Sequence, residues 1–431
     1  MSVEDFRAVV AEWLSSSLSD IKPREVALPL KPVNIISVIG PRRAGKTSLL
    51  YHTISKLVAI GVPKRNILYV DFEHPRLTDV DAESLENMLK AFYELSKPDT
   101  SKATYFFLDE IQNVRDYGRW FRKRLNAKLY ISGSTSMLSS KNIAEELRGR
   151  SIDYTVYPLS FREYLSFKGV AIDNPELILY SQEKRGFILS MLRDYLRFGG
   201  YPAVVLEENE SEKIRLLRSY FNSVVVRDFA YSQPVLAEPF VKFVIQNYAT
   251  SFSANRVYNY MKSLGYKLGK EKLLDIINRG VECFFIIQSE LFVKSERRRQ
   301  MNLKKIYIVD TGYPLALGYE FSIGRAMENA VMVELKRREK EVFYWKEYGK
   351  REGREVDFVV SKNGSRADEL IQVTYSADNI PKRELKALKK AKDETDAQRL
   401  TLITWDNYSK EGAVNLVPLW YWLIRQTEQD A

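Results

Sequence analysis

The residues able to do chemistry begin with Gly40-Pro41-Arg42-Arg43-Ala44-Gly45-Lys46-Thr47, which fit G-x-x-x-x-G-K-[ST] without a departure and are followed by Ser48. Gly40 and Gly45 let the backbone curl so that successive N–H groups face phosphate oxygens, and the start of a following helix adds partial positive charge. Lys46 then reaches the β and γ phosphates, and the Thr47 hydroxyl ligates Mg²⁺. The stretch from Gly40 to Ser48 is therefore expected to bind ATP, or ADP, with its magnesium ion.

A second chemical feature is Asp109-Glu110, which closes the apolar run Ala103 to Leu108. Downstream of a phosphate-binding loop, Asp109 is expected to hold Mg²⁺ through its water shell and Glu110 to polarise the water that attacks the γ-phosphate. Ser134, in Gly133-Ser134-Thr135-Ser136, reads either as a sensor of the γ-phosphate or as part of a polar turn. Arg150, and after it Arg148, read either as arginines supplying charge to the ATP of a neighbouring copy or as ion-paired surface residues.

These groups need a scaffold, and the flanking patterns supply one. The β-like run Ile35 to Ile39 enters the loop and a helical pattern from Lys46 to about Ile60 leaves it. Strands at 66–73, 103–108 and 128–132 alternate with a helix near 82–95, which implies a mostly parallel sheet with ligands at the carboxyl ends of its strands. Before the loop, Phe6, Val9, Val10, Trp13 and Leu14 form a helical stripe suited to packing.

Composition bounds the rest. With 431 residues the chain is long enough for about three domains. Two histidines, His52 and His74, argue against His-based metal sites and Ser/His/Asp catalysis. The single Cys283 excludes internal disulfides and fits a reducing compartment. Acidic residues precede any apolar run at the N-terminus, and no stretch approaches 18 uninterrupted apolar residues, so a cytoplasmic protein without a membrane span is expected. The net charge of +10 permits an anionic partner.

Much of that charge is concentrated. Residues 251–305 hold 12 Lys/Arg against 5 Asp/Glu. Helices expected at 239–248, 254–264 and 269–278, then strands at 281–288 and 290–293 with Lys294 to Arg299 as a wing tip, give a winged-helix order. Lys267, Lys270, Lys272, Arg297, Arg298 and Arg299 are the residues expected to meet DNA phosphates; the alternative is a winged helix that clamps domains together.

In their order, Gly40 to Thr47, Leu108-Asp109-Glu110-Ile111-Gln112, Ser132-Gly133-Ser134, Leu147-Arg148-Gly149-Arg150 and Tyr157 to Tyr164 resemble a family of archaeal and bacterial AAA-like ATPases related to the STAND class. The resemblance extends over essentially the whole chain and is more specific in its first half. It implies an α/β fold with a P-loop NTPase parallel sheet, a helical lid, a winged-helix domain and a C-terminal restriction-endonuclease-like α/β domain. The boundaries expected are 1–158, 159–237, 238–318 and 319–431. It also implies that Gly200 and Pro202, in Gly200-Tyr201-Pro202, lie beside the adenine, although Gly and Pro also end helices anywhere. In active nucleases of the C-terminal fold, an acid on the second strand precedes Glu-x-Lys on the third. Here Asp357 matches the first acid and Glu328 the helix acid, while Gln372 and Thr374 replace the Glu and the Lys. A neutral amide binds Mg²⁺ less well than a carboxylate, and Thr has no ammonium, so a binding or assembly domain is expected rather than a nuclease. The function expected is Mg²⁺-dependent ATP hydrolysis that moves lid and winged helix, with DNA as partner. A STAND-like switch acting on protein partners, as an oligomer, is the alternative, and an ATP-regulated nuclease the third.

Overall fold

The computed structural model describes residues 1–18, 21–121, 127–133, 150–229, 234–347, 353–362, 364, 366–376 and 380–425. The chain divides into two compact units, Met1–Val156 and Tyr157–Ala431.

The first unit is a five-stranded sheet, all parallel, in the order β2-β3-β4-β1-β5. Its strands are β1 (Ile35–Ile39), β2 (Ile67–Asp71), β3 (Tyr105–Asp109), β4 (Lys128–Gly133) and β5 (Ser151–Thr155). Every residue of β1 and β3 is buried, as the unbroken apolar runs require of parallel strands covered on both faces. Helix α1 (Val3–Ser15) opens with a capping box between Ser2 and Asp5 and buries Phe6, Val9, Val10 and Trp13, the stripe expected of it. Helix α2 (Lys46–Ala59) leaves the glycine loop directly, and α3 (Ser84–Ser96) precedes β3. The register pairs Asp71 with Asp109, so two acids finish adjacent strands at one level.

A large hydrophobic core running from Leu159 to Ile424 and a second cluster between Phe343 and Leu416 hold the second unit together. Within it lies a nine-stranded mixed sheet in the order β13-β14-β12-β11-β10-β9-β7-β8-β6. Its members are β6 (Thr250–Phe252), β7 (Ile286–Leu291), β8 (Lys304–Ile308), β9 (Glu341–Lys346), β10 (Glu355–Ser361), β11 (Ala367–Val373), β12 (Arg399–Thr404), β13 (Ser409–Glu411) and β14 (Val414–Pro418). Parallel pairing of β7 with β9 makes the sheet continuous, so the boundaries expected at 237 and 318 fall inside one core. Helix Ile323–Arg337, β9, β10, β11, helix Lys382–Thr395 and β12 follow one another in an αβββαβ order.

The expected wing differs. One strand, Ile286–Leu291, replaces the two expected over 281–293, because the preceding helix runs on to Glu282 and Phe284 turns the chain with φ 60°. Residues 296–301, expected in part as a wing tip, form a short helix. Ser295 caps it by accepting from the Arg298 N–H, a helix-start signal that the arginine run masks in the sequence.

Candidate functional site

The glycine loop is built by steric necessity at its entrance. Gly40 has φ 143°, and a Cβ there would lie 2.2 Å from the Val156 carbonyl oxygen. Gly45 has φ 98° and begins α2 without a side-chain cap, leaving its first-turn amides to a ligand. Arg43 carries φ 63°, so the curl extends across the loop. Lys46, 5% exposed, donates from Nζ to the carbonyls of Gly40 at 3.0 Å and Pro41 at 2.9 Å, which keeps the ammonium inside the curl. Buried Arg24 donates to the Ala44 carbonyl at 2.7 Å and braces the loop from outside. Arg42 pairs with Glu73 at 3.2 Å, whereas the Thr47 and Ser48 side chains stand at the exposed start of α2.

Strand β3 brings its acids to this loop. The Thr47 hydroxyl donates to Asp109 Oδ2 at 2.7 Å, and the Tyr69 hydroxyl donates to the same oxygen at 2.9 Å. Asp109 Oδ1 accepts from Ser132 Oγ and, at 3.2 Å, from the Glu110 N–H. Glu110 lies in the left-handed region at φ 51°, a conformation costing a non-glycine residue about 1 kcal/mol or more and concentrated at functional sites. Its carboxylate accepts from Gln112 Nε2. Burial and the neighbouring charges of Asp109, Glu73 and Glu110 push the Asp71 carboxyl above the usual range, and burial pushes the Tyr69 phenol far above its own.

The donor set fits ATP with Mg²⁺. Among the described residues no group of three or more His, Cys, Asp and Glu is arranged to hold a metal alone. Mg²⁺ does not need one, because it combines one or two carboxylates with waters and substrate phosphates. Thr47 gives its proton to Asp109 and so turns its lone pairs outward, where Mg²⁺ would be held with Asp109 nearby.

Ser134 and Arg148 lie outside the described residues. Arg150 is exposed, and its carbonyl accepts from the Ile35 N–H at 2.9 Å, at the edge where β5 begins. In the second unit the Gly200 N–H donates to buried Asp310 at 2.7 Å, a Cβ there would lie 2.5 Å from the Leu159 carbonyl oxygen, and Pro202 is the first residue of helix Pro202–Leu206. Lys267, Lys270, Lys272, Arg297 and Arg298 are exposed. Arg299 is used internally: it donates to the carbonyls of Val293 and Gly364, both at 3.1 Å, and lies over the Phe343 ring.

Glu328 and Asp357 do come together, around a cation the sequence reading passed over. Lys305 on β8, 3% exposed, places Nζ 2.9 Å from each of Glu328, Glu355 and Asp357. Tyr307 donates to Glu328 at 2.8 Å. Gln372 is engaged on both sides, accepting from the Asp357 N–H at 3.1 Å and donating to Glu384 at 2.8 Å. Thr374, beyond the end of β11, donates its N–H to the Ile403 carbonyl at 2.9 Å.

Residues 33–165 match the family described as AAA domain, residues 189–320 a domain of unknown function (DUF8612), and residues 323–422 another (DUF4143). The uncharacterized protein MJ1544 of Methanocaldococcus jannaschii is 30% identical over 422 residues, spanning 93% of this chain and 90% of that protein. The chain belongs to the MJ1544 family. An uncharacterized protein of Haemophilus influenzae is 27% identical over 82% of this chain and 87% of its own length. Among solved structures, the ORC1 protein of Aeropyrum pernix in complex with DNA is similar at 15% identity and a TM-score of 0.29, over 73% of this chain and 91% of that one. AMPPCP-bound DnaA from Aquifex aeolicus is similar at 14% identity and 0.23, over 59% and 83%.

In this member of the MJ1544 family, sequence reading missed Tyr69 at the loop and Lys305, Tyr307 and Glu355 in the second unit, and it gave Ser132 and Gln112 no role of their own. Lys305 and Tyr307 left a faint signal: two polar side chains at a spacing of two on a strand whose alternate residues, Ile306 and Ile308, are apolar. Among the described residues no helix is long and apolar enough to cross a membrane.

Proposed function

We propose that this protein is a Mg²⁺-dependent ATPase of the AAA type whose second unit engages DNA without cutting it. The observation that carries the ATPase reading is the bond from Thr47 to Asp109, which sets the loop hydroxyl and the strand acid side by side at the mouth of the glycine curl.

The residues divide the work as follows. Loop amides and the start of α2 hold the phosphates, and the Lys46 ammonium turns from the Gly40 and Pro41 carbonyls toward them. Thr47 and Asp109 hold the metal, which when bound neutralises charge developing on the phosphates. Glu110 takes the role of orienting and polarising water, and Gln112 holds its carboxylate until then. Arg150, at the sheet edge, is proposed to supply charge to the ATP of a neighbouring copy. Mixing Arg150→Ala with Glu110→Gln chains should then restore partial turnover, and no recovery in verified mixed oligomers would remove that role.

Support for DNA comes from the exposed cations Lys267, Lys270, Lys272, Arg297 and Arg298, now without Arg299. Support for a non-cleaving domain comes from Lys305, whose ammonium lies among Glu328, Glu355 and Asp357, and from the committed amide of Gln372. The test is the ATPase rate of the full chain with and without single- and double-stranded DNA at low salt. Stimulation or salt-sensitive binding is expected. An unchanged rate with no retardation at low salt would leave a switch acting on protein partners.

A further inference from the structure

Asp109 has a hydroxyl partner that no motif places there. Tyr69 lies on β2, 8% exposed, and its phenol donates to Asp109 Oδ2 at 2.9 Å. The other side-chain donor to that oxygen, Thr47, stands at an exposed position where water competes for its proton. Tyr69 is closed to water, its phenol also meeting the Tyr51 hydroxyl, and its ring is packed on both sides. The Tyr51 ring lies 4.6 Å from it and the Trp13 ring 5.7 Å, centroid to centroid. Trp13 is held in turn by a bond from its indole N–H to the Ile67 carbonyl at 2.6 Å, two residues before Tyr69 on the same strand. A contiguous stack thus runs from the N-terminal helix to the carboxylate.

We propose that Tyr69 is the positioning residue for the Mg²⁺ carboxylate, and that Trp13 of α1 positions Tyr69. This rests on the ATPase reading above. A carboxylate turns about a broad torsion, so its direction is set by its donors. Tyr69 supplies a buried, permanent donor to Oδ2. That leaves the Thr47 hydroxyl in the rotamer that presents lone pairs to the metal. Without the phenol, Oδ2 is left to the Thr47 hydroxyl while Ser132 and the Glu110 N–H still hold Oδ1, and Mg²⁺ meets a less ordered pair of ligands. The loop amides and Lys46, which hold the phosphates, are untouched.

The experiment separates metal from nucleotide. A fluorescent ATP analogue is bound to the full chain, first in EDTA and then over a Mg²⁺ titration, for wild type, Tyr69→Phe, Trp13→Phe and the core control Leu57→Ala. Tyr69→Phe should raise the Mg²⁺ concentration at half-saturation by about tenfold, the effect of one buried hydrogen bond, with affinity in EDTA unchanged. Trp13→Phe should move it in the same direction by less. Leu57→Ala should lower the melting temperature without moving it. Equal half-saturation in wild type and Tyr69→Phe, or an equal shift in Leu57→Ala, would overturn the assignment while the ATPase reading stands. A wild-type chain that binds no nucleotide at any Mg²⁺ concentration would overturn both.

Discussion

Asp109 in the first unit and Asp357 in the second are both strand carboxylates almost closed to solvent, 1% and 7% exposed, yet they are satisfied in opposite ways. The side chains donating to Asp109, those of Thr47, Tyr69 and Ser132, are neutral hydroxyls. They orient the carboxylate and leave its charge in place, so the site still attracts a cation. Asp357 has an ammonium from its own chain, Lys305, shared with Glu328 and Glu355. A buried acid surrounded by hydroxyls is a site to be completed from outside, whereas one that holds a lysine is already occupied. The balance at Lys305 is incomplete, with three carboxylates around its ammonium and a second cation, Lys346, reaching Glu355 at 3.7 Å. Burial, then the charge of Asp357, raises the Glu328 carboxyl to about 7.

The largest effects should come from the site that takes its cation from outside. Lys46→Ala removes the ammonium that faces the phosphates and should reduce ATP turnover to background, with most nucleotide affinity lost. Glu110→Gln should keep nucleotide binding and lower turnover by at least about a hundredfold, because it removes the group that polarises water and leaves the loop intact. Steady-state hydrolysis and binding by the same fluorescent analogue check both. Equal turnover in wild type and Glu110→Gln would remove the base assignment and with it half of the contrast.

The second unit answers to a different substitution. Lys305→Met keeps the side-chain length and deletes the charge, leaving three acids to repel one another in a buried place. A loss of roughly 3–5 kcal/mol in the urea unfolding of this unit is expected at pH 7.5, as for one partner removed from a buried ion pair. The loss should shrink at pH 5, where Glu328 takes up a proton. A stability change below about 1 kcal/mol at pH 7.5 would show that the cluster is solvated and that Lys305 is not its internal counter-ion.

The two sites were unequally legible in the sequence for the same physical reason. The glycine loop is contiguous, so its backbone requirement is written in eight neighbouring letters from Gly40 to Thr47. Asp109 and Glu110 are legible as the end of an apolar strand. Tyr69 is 40 residues from Asp109 and Lys305 is 52 from Asp357; the pairing of β2 with β3 brings the first pair together, and the second meets from β8 and β10, strands with β7 and β9 between them in the sheet. The continuity of the second sheet through β7 and β9 depends on a short parallel pairing with no local signature. The basic run at 297–299 pointed to one DNA-facing tip. Its helix start and the burial of Arg299 against Phe343 depend on Ser295 and on β9, and neither contact follows from charge.

The smallest expected effect is the most discriminating, because it tests the surplus negative charge around Lys305 directly. Glu328 has a folded-state value near 7, above its ordinary 4.5, so its contribution to stability is complete below pH 4.5 and is lost as pH rises through 7. Over that window the wild-type second unit should lose up to roughly 3 kcal/mol from this group. Glu328→Gln keeps an oxygen to accept from Lys305 and Tyr307 but cannot ionise, so it should lack that slope. The two proteins should have similar urea midpoints at pH 5, and the variant should be the more stable at pH 7.5. Asp310, raised by burial to about 6, titrates within the same window but is present in both chains, so it cancels in the difference. If the midpoints differ by the same amount at both pH values, Lys305 already neutralises its neighbours in full. The acids of the two units would then differ in the source of their partner alone, and not in the charge left over.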